Sequence, residues 1–205
     1  MNTSRLILTS LIPLAGILMM SSCSKEQKPA SAQLSETQKS EILDQGNKAS
    51  AALFGELSPK LKAAMQSGGP EKAITVCKEV AQTSTLEVSN TFSELKLTRV
   101  SLKSRNPDNQ ADDFDQKILR QWENVITEGK HFPEPVVLLK DDTTAIYYKP
   151  ILADPICLNC HGDASQFPVE LRNKLNELYP EDQATGYKLG DLRGAFRAEF
   201  KLKSQ

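Results

Sequence analysis

Cysteine, histidine, tryptophan and methionine are scarce: four, two, one and four in 205 residues. A scaffold stapled by many disulfides is excluded by that count, as is a metal site built from many histidines. An excess of charge of one sign is missing too. Lys and Arg number 25 against 26 Asp and Glu, for a net charge of -1. No basic stripe or acidic tail drives binding by counterion release, so no nucleic-acid partner is expected. Beyond the first twenty residues there is no long hydrophobic run, and no internal repeat is visible. No Ser/His/Asp set or paired carboxylates stand out, so the chain does not read as an enzyme. What remains, 39% hydrophobic and 25% charged, is the balance of an ordinary globular chain long enough for one core.

The one apolar run is N-terminal. A short stretch with a single positive charge, Arg5, precedes Leu6 to Met20, which has the length of a signal-peptide core rather than a membrane span. It ends in Met20-Ser21-Ser22-Cys23, which resembles a bacterial lipobox, where small residues precede a cysteine that is diacylated and becomes residue one after cleavage. Ordinary secretion with an unmodified thiol is the plainer alternative. The expectation is a lipoprotein signal over residues 1–22, a lipidated tether over 23–33 without periodicity, and a folded domain over 34–205. Ser24 follows the cysteine in place of the Asp that marks inner-membrane retention, so the anchor is assigned to the outer membrane, on its periplasmic side. Cleavage removes three of the methionines and leaves Met65.

Within the domain, Ser35 can cap a helix with Ile42, Leu43, Ala49, Ala52, Leu53 and Leu57 on the 3.6-residue period, with a kink and restart at Ser58-Pro59. Gly68-Gly69 ends it and Pro70 opens the next helix, with Ala73, Ile74, Cys77, Val80 and Ala81 on one face. Leu95 to Leu102 reads as a strand, and Asp112 or Asp113 caps a helix through Phe114, Ile118, Leu119, Trp122, Val125 and Ile126. Val136 to Lys140 and Thr143 to Lys149 read as a hairpin, Pro168 to Tyr179 as a short helix. Ala195 to Leu202 alternates, with Phe196, Ala198, Phe200 and Leu202 inward and Arg197, Glu199 and Lys201 outward, and closes the sheet. The order predicts an α+β domain with helices packed to one side of a small antiparallel sheet.

Half of the cysteines and half of the histidines fall in Cys157-Leu158-Asn159-Cys160-His161. This is the spacing that attaches haem covalently: two thiols add to the two vinyl groups, and the next histidine stands under the iron. Export agrees, since such haem is attached outside the bacterial cytoplasm. A structural zinc needs about four ligands, and after Cys23 only Cys77, Cys157, Cys160, His131 and His161 are on offer. A redox disulfide should open a helix after a strand, whereas Pro155 to Gly162 reads as loop. The sixth ligand is open among Met65, His131 and Cys77, each with a plain role as a packed or solvated side chain.

Taken together, Gly69 to Cys77 (GPEKAITVC), Arg99 to Pro107 (RVSLKSRNP) with Asn109, Cys157 to Gly162 (CLNCHG), Tyr179-Pro180, Ala184 to Tyr187 (ATGY) and Gly190 to Gly194 (GDLRG) resemble a bacterial family of c-type haem proteins with a PAS-like fold. The resemblance implies an antiparallel PAS-like sheet flanked by helices, one covalent haem c, and Cys77 as the distal ligand opposite His161. A thiolate ligand lowers the reduction potential relative to His/Met. Arg99, Lys103, Arg105 and Arg193 are candidate propionate partners, or else surface charges. The expected function is a redox or diatomic-gas sensor or binding module that signals to an unidentified protein partner; the alternative is a single-haem electron carrier tethered to the membrane through Cys23.

Overall fold

The structure, a computed structural model, describes Met1 and residues 33–202. The signal segment, the lipobox with Cys23 and nearly all of the tether lie outside the described residues. Ser35 starts α1 (Glu36–Asn90) through a capping box: its hydroxyl accepts from the Gln38 backbone N–H while the Gln38 side chain accepts from Ser35 N–H. Backbone dihedrals stay helical through Pro59, where the sequence predicts a restart, and break at Gly68 and Gly69, the latter at φ 64°. Only glycine takes that conformation at low cost, so the chain turns there and Pro70 re-enters helix as its first residue.

Four strands follow the helices in space: β1 (Leu95–Val100), β2 (Val136–Asp141), β3 (Thr144–Leu152) and β4 (Leu192–Lys201), all antiparallel in the order β1-β4-β3-β2. The last strand does not close the sheet; it is central, pairing Ala195 with Val100 on one side and Pro150 on the other. The helices also do not sit on one side. α1 covers one face, where Ile42, Ala49 and Leu53 pack on Leu97, Tyr147, Ala198 and Phe200. The opposite face is covered by α2 (Asp113–Thr127), whose Ile118, Leu119 and Trp122 pack on Val100, Ile146, Tyr148 and Ala195. The physical reason is legible in β3, whose first five residues are all buried: a strand without polar alternation is buried on both faces.

That second cover corrects the outward assignment of Arg197, which is buried and donates through Nε to Asp115 Oδ1 at 2.9 Å while Tyr148 Oη donates to the same oxygen at 2.5 Å. The pairing with Asp115 and Glu199 compensates the buried guanidinium. The result is an α+β fold, an antiparallel sheet flanked by helices. Beyond one end of the sheet lie a helical turn, α3 (Leu158–His161), and α4 (Val169–Leu178), the latter packed against α1.

Candidate functional site

Cys157 to His161 is not wholly loop. Leu158 to His161 form one helical turn, closed by His161 N–H donating to Cys157 O at 2.9 Å. A turn places Cys157, Cys160 and His161 on neighbouring sides of one short cylinder, with the cysteines three residues apart. Cys157 and Cys160 are free thiols and half-buried, as is Cys77.

The histidine ring is oriented from behind. Its Nδ1 lies 2.7 Å from Ala184 O, and since a carbonyl only accepts, Nδ1 carries the proton and Nε2 keeps its lone pair. Backbone bonds from Tyr187 N–H to His161 O (2.9 Å) and from Gly186 N–H to Gly162 O (2.7 Å) tie the 184–187 segment to the turn. The Tyr187 ring meets the imidazole edge-on, centroids 6.3 Å apart. Burial, with Arg193 and Arg105 nearby, holds the imidazole well below its usual pKa. It is a neutral ring with a free Nε2.

The second segment of α1 passes alongside. Ile74 shares an apolar cluster with Cys160, Phe167, Leu171, Leu175 and Tyr179, and Cys77 lies one turn further on. Cys77 is within electrostatic reach of Cys160, Tyr179, Arg99 and Arg105. Burial pushes its thiol up, while Arg99 and Arg105 oppose that shift. Cys160 is pushed up to about 11, again mainly by burial. Met65 is half-buried on the first segment of α1, before the glycine break, and His131 is exposed between α2 and β2.

Four cations gather around this pair of elements. Arg99 reaches α1, donating through Nη2 to Gln82 Oε1 at 3.2 Å and Ala81 O at 3.4 Å, but its buried Nε has no partner among the described residues. Burial lowers its pKa. Arg193 donates to Ser101 Oγ at 3.0 Å and Lys103 O at 3.4 Å, and stacks with Lys103 on the Tyr187 ring. Arg105 is engaged by Asp182, Cys160 O and Ala184 O. Asp182 and Gln82 carry no signal in the sequence that singles them out, and Ala184, which lies in the ATGY segment, acts here through a carbonyl that nothing in that segment marks.

Among known proteins, the family described as Tll0287-like (Tll0287) matches residues 19–200. No curated protein matches the chain. Among solved structures, the chain is similar to the crystal structure of the cyanobacterial haem protein Tll0287, with a TM-score of 0.61 and 24% sequence identity, covering 80% of this chain and 98% of that one. At that identity the likeness speaks for the fold.

Proposed function

We propose that this chain, which belongs to the Tll0287-like family, binds one haem covalently through Cys157 and Cys160, with His161 and Cys77 as axial ligands, and acts as a redox or diatomic-gas sensing module. The observation that carries the reading is the helical turn of the attachment motif, with two free thiols and an imidazole whose Nδ1–H is committed to Ala184 O. Such a committed Nδ1 leaves Nε2 as the metal-facing atom. The similar solved structure is that of a haem protein, which agrees.

The residues also suit the group's charge. Haem carries two propionates, and Arg99 and Arg193 donate only to neutral oxygens, with the Arg99 Nε left over. A buried guanidinium without a counter-charge is costly, and a propionate would complete it. Arg105 already has its counter-charge in Asp182. Zinc fits less well, since no three His, Cys, Asp or Glu side chains gather as a metal-binding group among the described residues. Cys77, half-buried and within electrostatic reach of Cys160, is favoured as sixth ligand over exposed His131.

A haem held this way supplies a redox-active iron of low potential. His161 and Cys77 would orient and enclose it, and Ile74, one turn before Cys77, belongs to the apolar cluster with Leu171 and Tyr179 that also packs Cys160. No helix among the described residues is long and apolar enough to cross a membrane. Attachment to the outer membrane through a lipidated Cys23, supported by the lipobox resemblance of Met20-Ser21-Ser22-Cys23, is part of the proposal, and so is an outside protein as electron or signal partner.

The test is a pyridine haemochrome spectrum with a haem-stained denaturing gel. Haem should stay with the chain through acid-acetone extraction and be lost from Cys157→Ala/Cys160→Ala. Extractable haem, or zinc in place of iron, refutes the attachment. On fractionation, Cys23→Ala should move from membrane to soluble periplasm; a wild type already soluble refutes the anchor.

A further inference from the structure

Arg105 is only 7% exposed, and its guanidinium bridges the 157–161 turn and the 182–184 segment. Nε donates to Asp182 Oδ2 at 3.0 Å. Nη2 lies 2.9 Å from that same oxygen and also donates to Cys160 O at 2.6 Å and Ala184 O at 3.2 Å. Asp182 closes the loop, since its Oδ1 accepts from Ala184 N–H at 2.8 Å. Ala184 O is the oxygen that accepts from His161 Nδ1–H at 2.7 Å. One carbonyl thus takes two donors, a cation and the imidazole.

The sharing has a chemical consequence. A carbonyl whose lone pair is already drawn toward a guanidinium is a poorer acceptor for a second donor. The imidazole then keeps its proton more firmly and has less imidazolate character, so Nε2 is a weaker donor to a metal. Asp182 acts in the opposite sense: it neutralises the guanidinium and places a negative charge two residues from the carbonyl, so less of the Ala184 oxygen's lone pair is drawn away from the imidazole. The two charges are opposing levers on one hydrogen bond.

We infer that Arg105 and Asp182 are positioning residues for the axial histidine: through the Ala184 carbonyl they hold the His161 ring and set how strongly it donates to iron, Arg105 weakening that donation and Asp182 restoring it. The inference rests on the haem reading above. It also separates Arg105 from the propionate partners, because its charge is already paired with Asp182.

A brace that merely stiffened the loop would respond alike to loss of either partner. A pair of levers responds with opposite signs. Redox titration of the holoproteins, read with the His161 Nδ1–H proton resonance, therefore decides. Arg105→Gln should shift the midpoint potential below wild type, Asp182→Asn should shift it above, and the double variant should return toward wild type. Arg105→Lys keeps the charge but not the fork, and should fall between wild type and Arg105→Gln. If Arg105→Gln does not mature, the comparison of Arg105→Lys with Asp182→Asn carries the same sign test. Shifts of the same sign, none in either variant, or opposite shifts with the His161 Nδ1–H proton resonance unmoved, as charge removal alone would give, overturn the inference while wild-type haem content stays intact. A wild-type chain without covalent haem overturns the proposed function instead.

Discussion

Arg99 brings a cation beside Cys77 while leaving its own Nε without an acceptor among the described residues. Those two facts pull in opposite directions unless something anionic arrives. In the holoprotein, Arg99→Met should strand a propionate, lower the melting temperature by an amount corresponding to roughly 1–3 kcal/mol, and lower the midpoint potential by removing positive charge near the iron. Thermal unfolding and redox titration check this; an unchanged melting temperature and potential would show that Arg99 meets no propionate. The residues that chemistry names by type are readable in the sequence: Cys157, Cys160 and His161 by spacing, Cys77 through resemblance. Asp182 is not, because it stands 77 positions from Arg105 and no local pattern relates a carboxylate to a partner so distant. Ala184 is hidden for another reason, since its part is played by a backbone carbonyl that any residue could supply.

The elements are legible where local chemistry fixes them and misplaced where the partner decides. Ser35, the Gly68-Gly69-Pro70 break and Asp112 mark helix limits because caps and breakers act within a few residues. Alternation points Arg197 to solvent because it shows which residues share a face, not whether a second helix covers the other one. Gly46 belongs to the same class: it stands in mid-helix, yet α1 crosses the sheet there so closely that a Cβ would sit 2.3 Å from Tyr147 Cγ. Gly46→Ala gains about 1 kcal/mol of helix propensity. The clash with a ring fully buried and held by Asn47 Oδ1 and Ser50 Oγ costs roughly 1–3 kcal/mol or more. Chemical denaturation should therefore show net destabilisation; a gain would mean that α1 can lift off Tyr147 freely. At the start of α2, the Asp112 carboxyl is held below its usual pKa chiefly by accepting from Asp115 N–H. A depressed folded-state pKa contributes stability above the unfolded value of about 3.9, and loses it as pH falls through the folded value. Asn caps equally well without titrating. The stability difference between wild type and Asp112→Asn, measured by thermal melts, should be flat above about pH 4 and shrink below it; a difference constant down to acid pH would contradict this cap's titration.

At the scale of the whole molecule, α1 is the element that joins the parts. Its first segment covers the sheet, its second carries Cys77 beside the haem-motif turn, and the Gly68-Gly69 break separates the two. A change at Cys77 acts on the second segment, whose Val88 also packs against the core, which is the arrangement a sensor needs: a local bond whose making or breaking bears on a packed element. A carrier needs the reverse, a site that keeps both ligands in both oxidation states. The two readings part on reduction, where Cys77, if it holds the iron, would be the residue able to take up a proton and leave. In the sensor reading the reduced wild type binds CO, with Cys77 as the competitor. Cys77→Ala should then bind CO faster, show a higher potential, and lose the thiolate signature from its oxidised spectrum, while attachment through Cys157 and Cys160 is untouched. Stopped-flow CO mixing with both proteins makes the comparison. Failure of reduced wild type to bind CO, with an oxidised spectrum unchanged in Cys77→Ala, would remove Cys77 from the iron and leave His131 as the sixth ligand of an electron carrier. CO binding only in the variant would keep Cys77 on the iron and make the protein a carrier.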